Sequence, residues 1–293
     1  CATYGVVENA PGPVAPGEQA YSLRAFMEGW RTSENALMLA FSGGGTRAAA
    51  LSYGVLKELR DTPVHTETGT RRLLDEVHTI SSVSGGSFTS AYYGLYRDKL
   101  FTDYEDDFLR RDVQSNLILG VINPVNWFRG VFSGFDRTEM AIDYYDRHIF
   151  RGATFDDILR NGAPYIDINA TDLTTGLRFT FSQELFDMIC TDLGSFSIAR
   201  AVTASSAVPV AFPPVVLKNH AGECDISDTD EWNFLVNAQP ETATQEQLVE
   251  GLKSYRDFEN RKYIHLVDGG IADNLGLRTM IDRVQGLGEQ RVQ

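Results

Sequence analysis

Several apolar runs along the chain stop abruptly at glycine. Ala36 to Phe41 (ALMLAF) is continuously apolar and ends at Ser42-Gly43-Gly44-Gly45. A short apolar run closed by a tight turn predicts a buried strand. Thr46 to Arg60 then carries Ala48, Leu51, Val55, Leu56 and Leu59 at helical spacing. That predicts a helix with those five residues on its buried face. The order repeats. Glu76 to Val83 alternates and is rich in β-branched residues, Ser84-Gly85-Gly86 makes a turn, and Ser87 to Arg97 reads as a helix. Near the C-terminus Tyr263 to Val267 runs into Asp268-Gly269-Gly270, with a helix expected over Asn274 to Val284. Repeated strand–turn–helix units predict an α/β fold with a mostly parallel central sheet flanked by helices.

The remaining pattern is less regular. Helices are expected at Tyr21 to Arg31, Asp103 to Asp112, Glu139 to Ile149 and Ile198 to Ser206. Tyr165 to Ala170 and Leu177 to Phe181 read as strands joined by a turn over Asp172 to Gly176. Asn219 to Asn260 is acidic and weakly patterned, which suggests an insertion with one helix near Thr244 to Phe258. Residues 1–20 are rich in Pro and Gly and read as an extended tether. Residues 21–293 then form a single domain.

Charge narrows the partners. The 293 residues hold 26 Lys+Arg against 40 Asp+Glu, a net charge of −14. Such a surface repels a phosphate backbone, so nucleic acid is a poor partner. It also repels an anionic bilayer unless apolar burial or a lipid anchor outweighs the charge. No run of roughly 18 uncharged apolar residues occurs, so a spanning helix is not expected. Leu117 to Phe135 is apolar with the single charge Arg129, but Pro124 interrupts it. Its Trp127, Phe128, Phe132 and Phe135 suit either a membrane-facing flap or the core and the lining of a pocket.

The glycine turns define candidate chemistry, because strand ends are where an α/β sheet builds its site. A serine on a sharp strand-to-helix turn is lifted clear of the sheet and needs small residues two positions away on either side. Ser84 has Ser82 and Gly86 there, so one glycine of the usual Gly-x-Ser-x-Gly pattern is replaced. A helix-capping serine is the simpler reading of Ser84 alone. Gly43, Gly44 and Gly45 present successive N–H groups at a helix start, a geometry suited to an oxyanion. A nucleotide loop is the rival, but no Gly-Lys-Ser/Thr follows. Asp268 at the third turn is either a turn residue or a base toward Ser84, provided burial raises its pKa.

Taken in order, these residues resemble the patatin-like phospholipase family. The resemblance rests on Ser42-Gly-Gly-Gly-Thr-Arg47, the Ser84 turn and Asp268-Gly-Gly. Further matches are Asn169-Ala-Thr-Asp172, Thr174-Thr-Gly176, Ala204-Ser-Ser-Ala207-Val-Pro209 and Phe212-Pro213-Pro214. The Ser-Gly-Gly-Gly-x-Arg form is most similar to the cytosolic phospholipase A branch. The resemblance implies a three-layer patatin-like fold. It further implies a Ser–Asp dyad without a catalytic histidine, with Ser84 as nucleophile, Asp268 as base and Gly43 to Gly45 as oxyanion hole. Arg47 matches the basic residue that steadies the substrate phosphate or the glycine loop. The implied substrate is a phospholipid or other lipid ester, with neither cofactor nor metal.

Three alternatives stay open. An acyltransferase would use the same acyl-enzyme. A Ser-His-Asp esterase would need His220 or His265 as base with a different acid, because no histidine follows Asp268. A non-enzymatic lipid-binding lipoprotein would keep the fold alone. Cys1-Ala2-Thr3 and the following Gly/Pro/Ala stretch resemble a mature bacterial lipoprotein. That implies export to the periplasmic or cell-surface side and membrane attachment through a lipid on Cys1. Cys190 and Cys224 then either form a disulfide, as export favours, or remain two buried thiols. Asn169-Ala-Thr171 fits a glycosylation sequon but lies at an expected strand end and is read as structural.

Overall fold

A computed structural model describes residues 6–12, 21–30, 35–67, 69–111, 137–209, 211–240 and 242–282. Cys1 and the whole of Leu117 to Phe135 lie outside the described residues.

The elements follow the glycine punctuation. Helix α1 (Leu23–Trp30) precedes strand β1 (Leu37–Phe41) and helix α2 (Gly45–Asp61). A hairpin, β2 (Pro63–Thr66) and β3 (Gly69–Arg72), leads into β4 (Val77–Val83) and α3 (Gly85–Tyr96). Helix α4 (Leu100–Tyr104) continues in a wider turn through Leu109. Then come α5 (Arg137–Tyr145), α6 (Phe155–Arg160), β5 (Tyr165–Asp172), β6 (Arg178–Thr180), α7 (Gln183–Met188) and α8 (Ile198–Ser206). The chain closes with β7 (Val215–Lys218), α9 (Asp230–Asn237), α10 (Ala243–Lys253), β8 (Tyr263–Asp268), α11 (Gly270–Asp273) and a helix over 277–282.

The main sheet runs β1-β4-β5-β8-β7, with β6 also paired to β5. Strands β1, β4 and β5 are parallel. Strands β6, β7 and β8 join antiparallel. The fold is therefore α/β, with parallel central strands and helices packed on the sheet. Strands β4 and β5 are buried along their whole length, as expected of strands covered on both faces.

The register of this sheet sets the site. Phe41 pairs with Ser82, so the glycine turn after β1 lies beside the turn after β4. Val83 pairs with Asn169, which puts Ser84 level with Ala170, and Ala170 pairs with Asp268. Strand β8 runs against β5, yet its C-terminal end still meets the C-terminal end of β4.

Four expectations change. Ala48 and Leu56 are buried in α2, but Leu51 and Val55 are exposed. The buried face is centred on Ala49, Ser52 and Tyr53, where α2 packs against α3 and the Thr89 hydroxyl donates to the Ala49 carbonyl at 2.9 Å. Small residues there let the two helices approach, which turns the larger Leu51 outward. Second, residues 6–12 are docked and not free. The Asn9 side chain donates to the Lys218 carbonyl and accepts the Lys218 N–H, both at 2.8 Å, extending the ladder beyond edge strand β7. Glu8 joins Glu139 on the buried Arg200 guanidinium. Third, the acidic segment carries two helices, α9 and α10, and buries Leu235 and Tyr255 against the core. Fourth, the helix expected over Asn274 to Val284 begins at 277, after α11 and a turn, and its residues 283 and 284 lie outside the described residues.

Asp172 fastens that acidic segment to β5. Its carboxylate accepts the Tyr255 hydroxyl at 2.9 Å and pairs with Arg261, whose guanidinium also lies over the Tyr255 ring. Asp172→Asn leaves Arg261 with a buried, uncompensated charge. It is expected to lower unfolding free energy by about 3 kcal/mol in urea titration. An unchanged midpoint would mean that the segment is held by its apolar contacts alone. The sulfurs of Cys190 and Cys224 are bonded, with Cα atoms 5.6 Å apart, and join the same segment to the loop after α7.

Candidate active site

The nucleophile candidate sits in a strained turn. Ser84 has φ 49° and ψ −120°, a conformation L residues rarely adopt, and it caps α3. Room for so sharp a turn comes from Gly86, where a Cβ would lie 2.7 Å from the Phe41 carbonyl oxygen of the neighbouring strand end. Ser82 fits in place of the pattern's first glycine because its side chain is satisfied in the core. It donates to the Asp167 carbonyl at 3.0 Å and accepts the Ser90 hydroxyl at 2.6 Å.

Ser84 Oγ donates to Asp268 Oδ2 at 2.9 Å. The other oxygen, Oδ1, accepts the Gly270 N–H at 2.7 Å, which fixes the carboxylate's orientation. Both residues are buried. Burial pushes the Asp268 carboxyl above its ordinary value, and its two hydrogen bonds oppose the shift. Thus β4 and β8, far apart in sequence, deliver a hydroxyl and a carboxylate with raised basicity to one point.

The glycine turn lies alongside. Gly43 donates its N–H to the Asn274 carbonyl at 2.9 Å, so it is engaged in holding the turn. Gly44, at φ 141°, and Gly45, the first residue of α2, supply the next two N–H groups. An α-helix leaves its first N–H groups without intrahelical partners, and its dipole is positive there. Arg47 is exposed on the first turn of the same helix and forms no ion pair with any described residue.

A cavity of about 300 Å³ opens beside Ser84. Its walls are mainly apolar, with Phe88, Phe108, Tyr145, Val208 and Phe212 prominent. These residues come from α3, the turn after α4, α5 and the loop after α8. Sequence reasoning missed them because no local spacing connects them. Val208 and Phe212 enter the sequence reading only inside the motifs Ala204 to Pro209 and Phe212 to Pro214, which do not mark them as pocket residues. No histidine lines this cavity among the described residues. His220 bonds instead to Glu223 at 2.7 Å and to the Asn9 carbonyl at 3.1 Å. Asn169, the sequon residue, is buried and donates to Ser81 Oγ and the Ser82 carbonyl. Among the described residues no group of three or more His, Cys, Asp or Glu is arranged to hold a metal ion. No described helix is long and apolar enough to cross a membrane.

This is an α/β protein with a serine–carboxylate pair at the ends of its strands, beside a glycine turn and an apolar cavity. A family profile described as patatin-like phospholipase matches residues 39–281. The chain belongs to the patatin-like phospholipase family. No curated protein matches it. Among solved structures, human GIVD cytosolic phospholipase A2 is similar at 15% identity and a TM-score of 0.46. The match covers 96% of this chain and 50% of that one, so the chain spans about half the length of that structure.

Proposed function

We propose that the protein hydrolyses acyl esters of lipids, phospholipids foremost, through an acyl-enzyme on Ser84. The observation that carries this reading is the 2.9 Å hydrogen bond from Ser84 to Asp268 at the edge of an apolar cavity. An acyl chain occupies the cavity and brings its carbonyl carbon to Ser84 Oγ. Asp268 takes the Ser84 proton as Oγ bonds to that carbon. The carbonyl oxygen becomes an oxyanion facing Gly44 and Gly45. Collapse of this intermediate breaks the ester bond, and Asp268 returns the proton to the departing alcohol. Water then replaces the alcohol, gives its proton to Asp268, and attacks the acyl carbon. As that second intermediate collapses, the bond from the acyl carbon to Oγ breaks, Asp268 returns the proton to Ser84 Oγ, and the fatty acid leaves.

Arg47 stands on the same helix turn as the oxyanion donors, and we assign it to the substrate phosphate. Arg47→Ala should weaken turnover of phospholipids by roughly tenfold more than that of uncharged esters, since a charge-assisted bond contributes about 1.5–3 kcal/mol. An equal loss on both classes would place Arg47 in support of the loop.

Because Asp268 must be ionised to act, kcat/KM should fall as pH drops through its raised pKa. The acidic limb is therefore expected above the ordinary aspartate value of about 4. A limb at or below that value would remove Asp268 as the base. The reading as a whole is tested by mass-spectrometric product analysis on a mixed lipid panel, with a short-chain alcohol added to the water. Free fatty acid is the expected product. Acyl ester of the added alcohol as the main product would make the protein an acyltransferase, and no product together with no fluorophosphonate labelling would make it a binding protein.

A further inference from the structure

Ser84 keeps a conformation that its own sequence does not favour, so something outside the turn must hold it. The partners converge on the last turn of α8. The Ser84 N–H donates to Ser205 Oγ at 2.9 Å. Ser205 Oγ donates its own proton to the Asn169 carbonyl at 2.6 Å, on the strand that separates β4 from β8. It also lies 3.0 Å from Ser87 Oγ in the first turn of α3. The backbone of the same segment holds the other half of the pair. The Ser205 carbonyl accepts the Gly269 N–H at 3.0 Å, and the Ala207 carbonyl accepts the Asp268 N–H at 2.9 Å. Ser205 is fully buried and is not among the residues lining the cavity.

We propose that Ser205 is a positioning residue, whose hydroxyl locks the backbone of Ser84 in the orientation that aims Oγ at Asp268. The inference rests on the dyad reading above. A positive-φ serine costs on the order of 1–3 kcal/mol and persists only where its surroundings over-determine it. Ser205 Oγ supplies that constraint directly, by accepting the Ser84 N–H just past the end of β4. Without it the turn relaxes, Oγ spends less time in line with the carboxylate, and the chemical step slows while substrate still fills the cavity. Loss of alignment on the ångström scale costs up to about 100-fold in rate.

Ser205→Ala removes the hydroxyl without adding volume. It should lower kcat at least tenfold, leave KM within about twofold, and slow fluorophosphonate labelling of Ser84 by a similar factor. The acidic limb of kcat/KM should also move to higher pH, since the Ser84 hydrogen bond is one of the two that hold the Asp268 pKa down. If the alanine variant folds poorly, Ser205→Thr and Ser205→Val decide the question. Those two side chains have nearly the same shape and share any crowding, so only the hydroxyl differs between them. Threonine should exceed valine at least tenfold in kcat. Equal kcat for threonine and valine, or wild-type kcat in a well-folded Ser205→Ala variant, would overturn the positioning role. Ser84→Ala measured alongside separates the two readings. If it keeps turnover, the dyad itself fails. If it is inactive while threonine and valine are equal, only the role of Ser205 fails.

Discussion

Ser84→Ala is expected to abolish ester hydrolysis, on the order of 10⁴-fold or more in kcat, with the fold intact. The chemical reason is direct, because among the described residues Ser84 is the hydroxyl that donates to Asp268 Oδ2. The structural reason is that alanine tolerates the turn as well as serine does. The same φ of 49° applies, the Ser205 acceptor still takes the N–H, and only the side-chain hydrogen bond is lost. A single such bond contributes about 1 kcal/mol to stability. Thermal melting should therefore shift by a few degrees at most, while fluorophosphonate labelling disappears. Wild-type turnover by Ser84→Ala would remove this serine from the mechanism. Loss of activity together with loss of the folded signal would make it a structural residue of the turn.

The strand–glycine–helix units were legible in the sequence because two signals coincide at each of them. Apolar continuity in ALMLAF, and alternation with β-branched residues in the strand before Ser84, mark the strands, and the glycines give the turns that those patterns alone do not locate. The pairing of Ser84 with Asp268 could be expected from those turns. Its geometry depends on the register of β5 between them, and no local pattern encodes that register. Three features were not legible. The short β7 follows two prolines and has only four residues, too few to show a period. Docking of residues 6–12 depends on partners far along the chain, among them Lys218 for Asn9, Arg200 for Glu8 and the Cys190 carbonyl for the Gly12 N–H. The cavity wall and Ser205 owe their roles to where helices lie relative to one another, so each looks like an ordinary core residue in the chain. Leu51 shows the opposite failure. Its hydrophobicity fitted the predicted face of α2, but close contact with α3 selects Ala49 and Ser52 for the interior.

Asp268→Asn is expected to be nearly as severe, costing about 10³- to 10⁴-fold in kcat, since the amide cannot take the Ser84 proton. Its effect on stability should have the opposite sign. Burial raises the folded-state pKa of Asp268 above that of the unfolded chain. Between those two values the folded state binds more protons than the unfolded state, so stability falls as pH rises through that window. Above it the ionised, partly desolvated carboxylate is a standing cost that asparagine removes. The amide oxygen can still accept the Gly270 N–H, so the turn keeps its support. At neutral pH the asparagine variant should therefore melt at or above the wild-type temperature. The difference should shrink as pH falls through the folded-state pKa, where Asp268 is itself protonated. Inactivity joined to undiminished stability is the signature of a base held in the folded state at a cost. His220→Gln and His265→Gln provide the contrast. Each should retain substantial activity if, as proposed, the acceptor of the Ser84 proton is a carboxylate. If either histidine variant is as inactive as Asp268→Asn, and Asp268→Asn itself retains turnover, the base is an imidazole and the dyad is wrong.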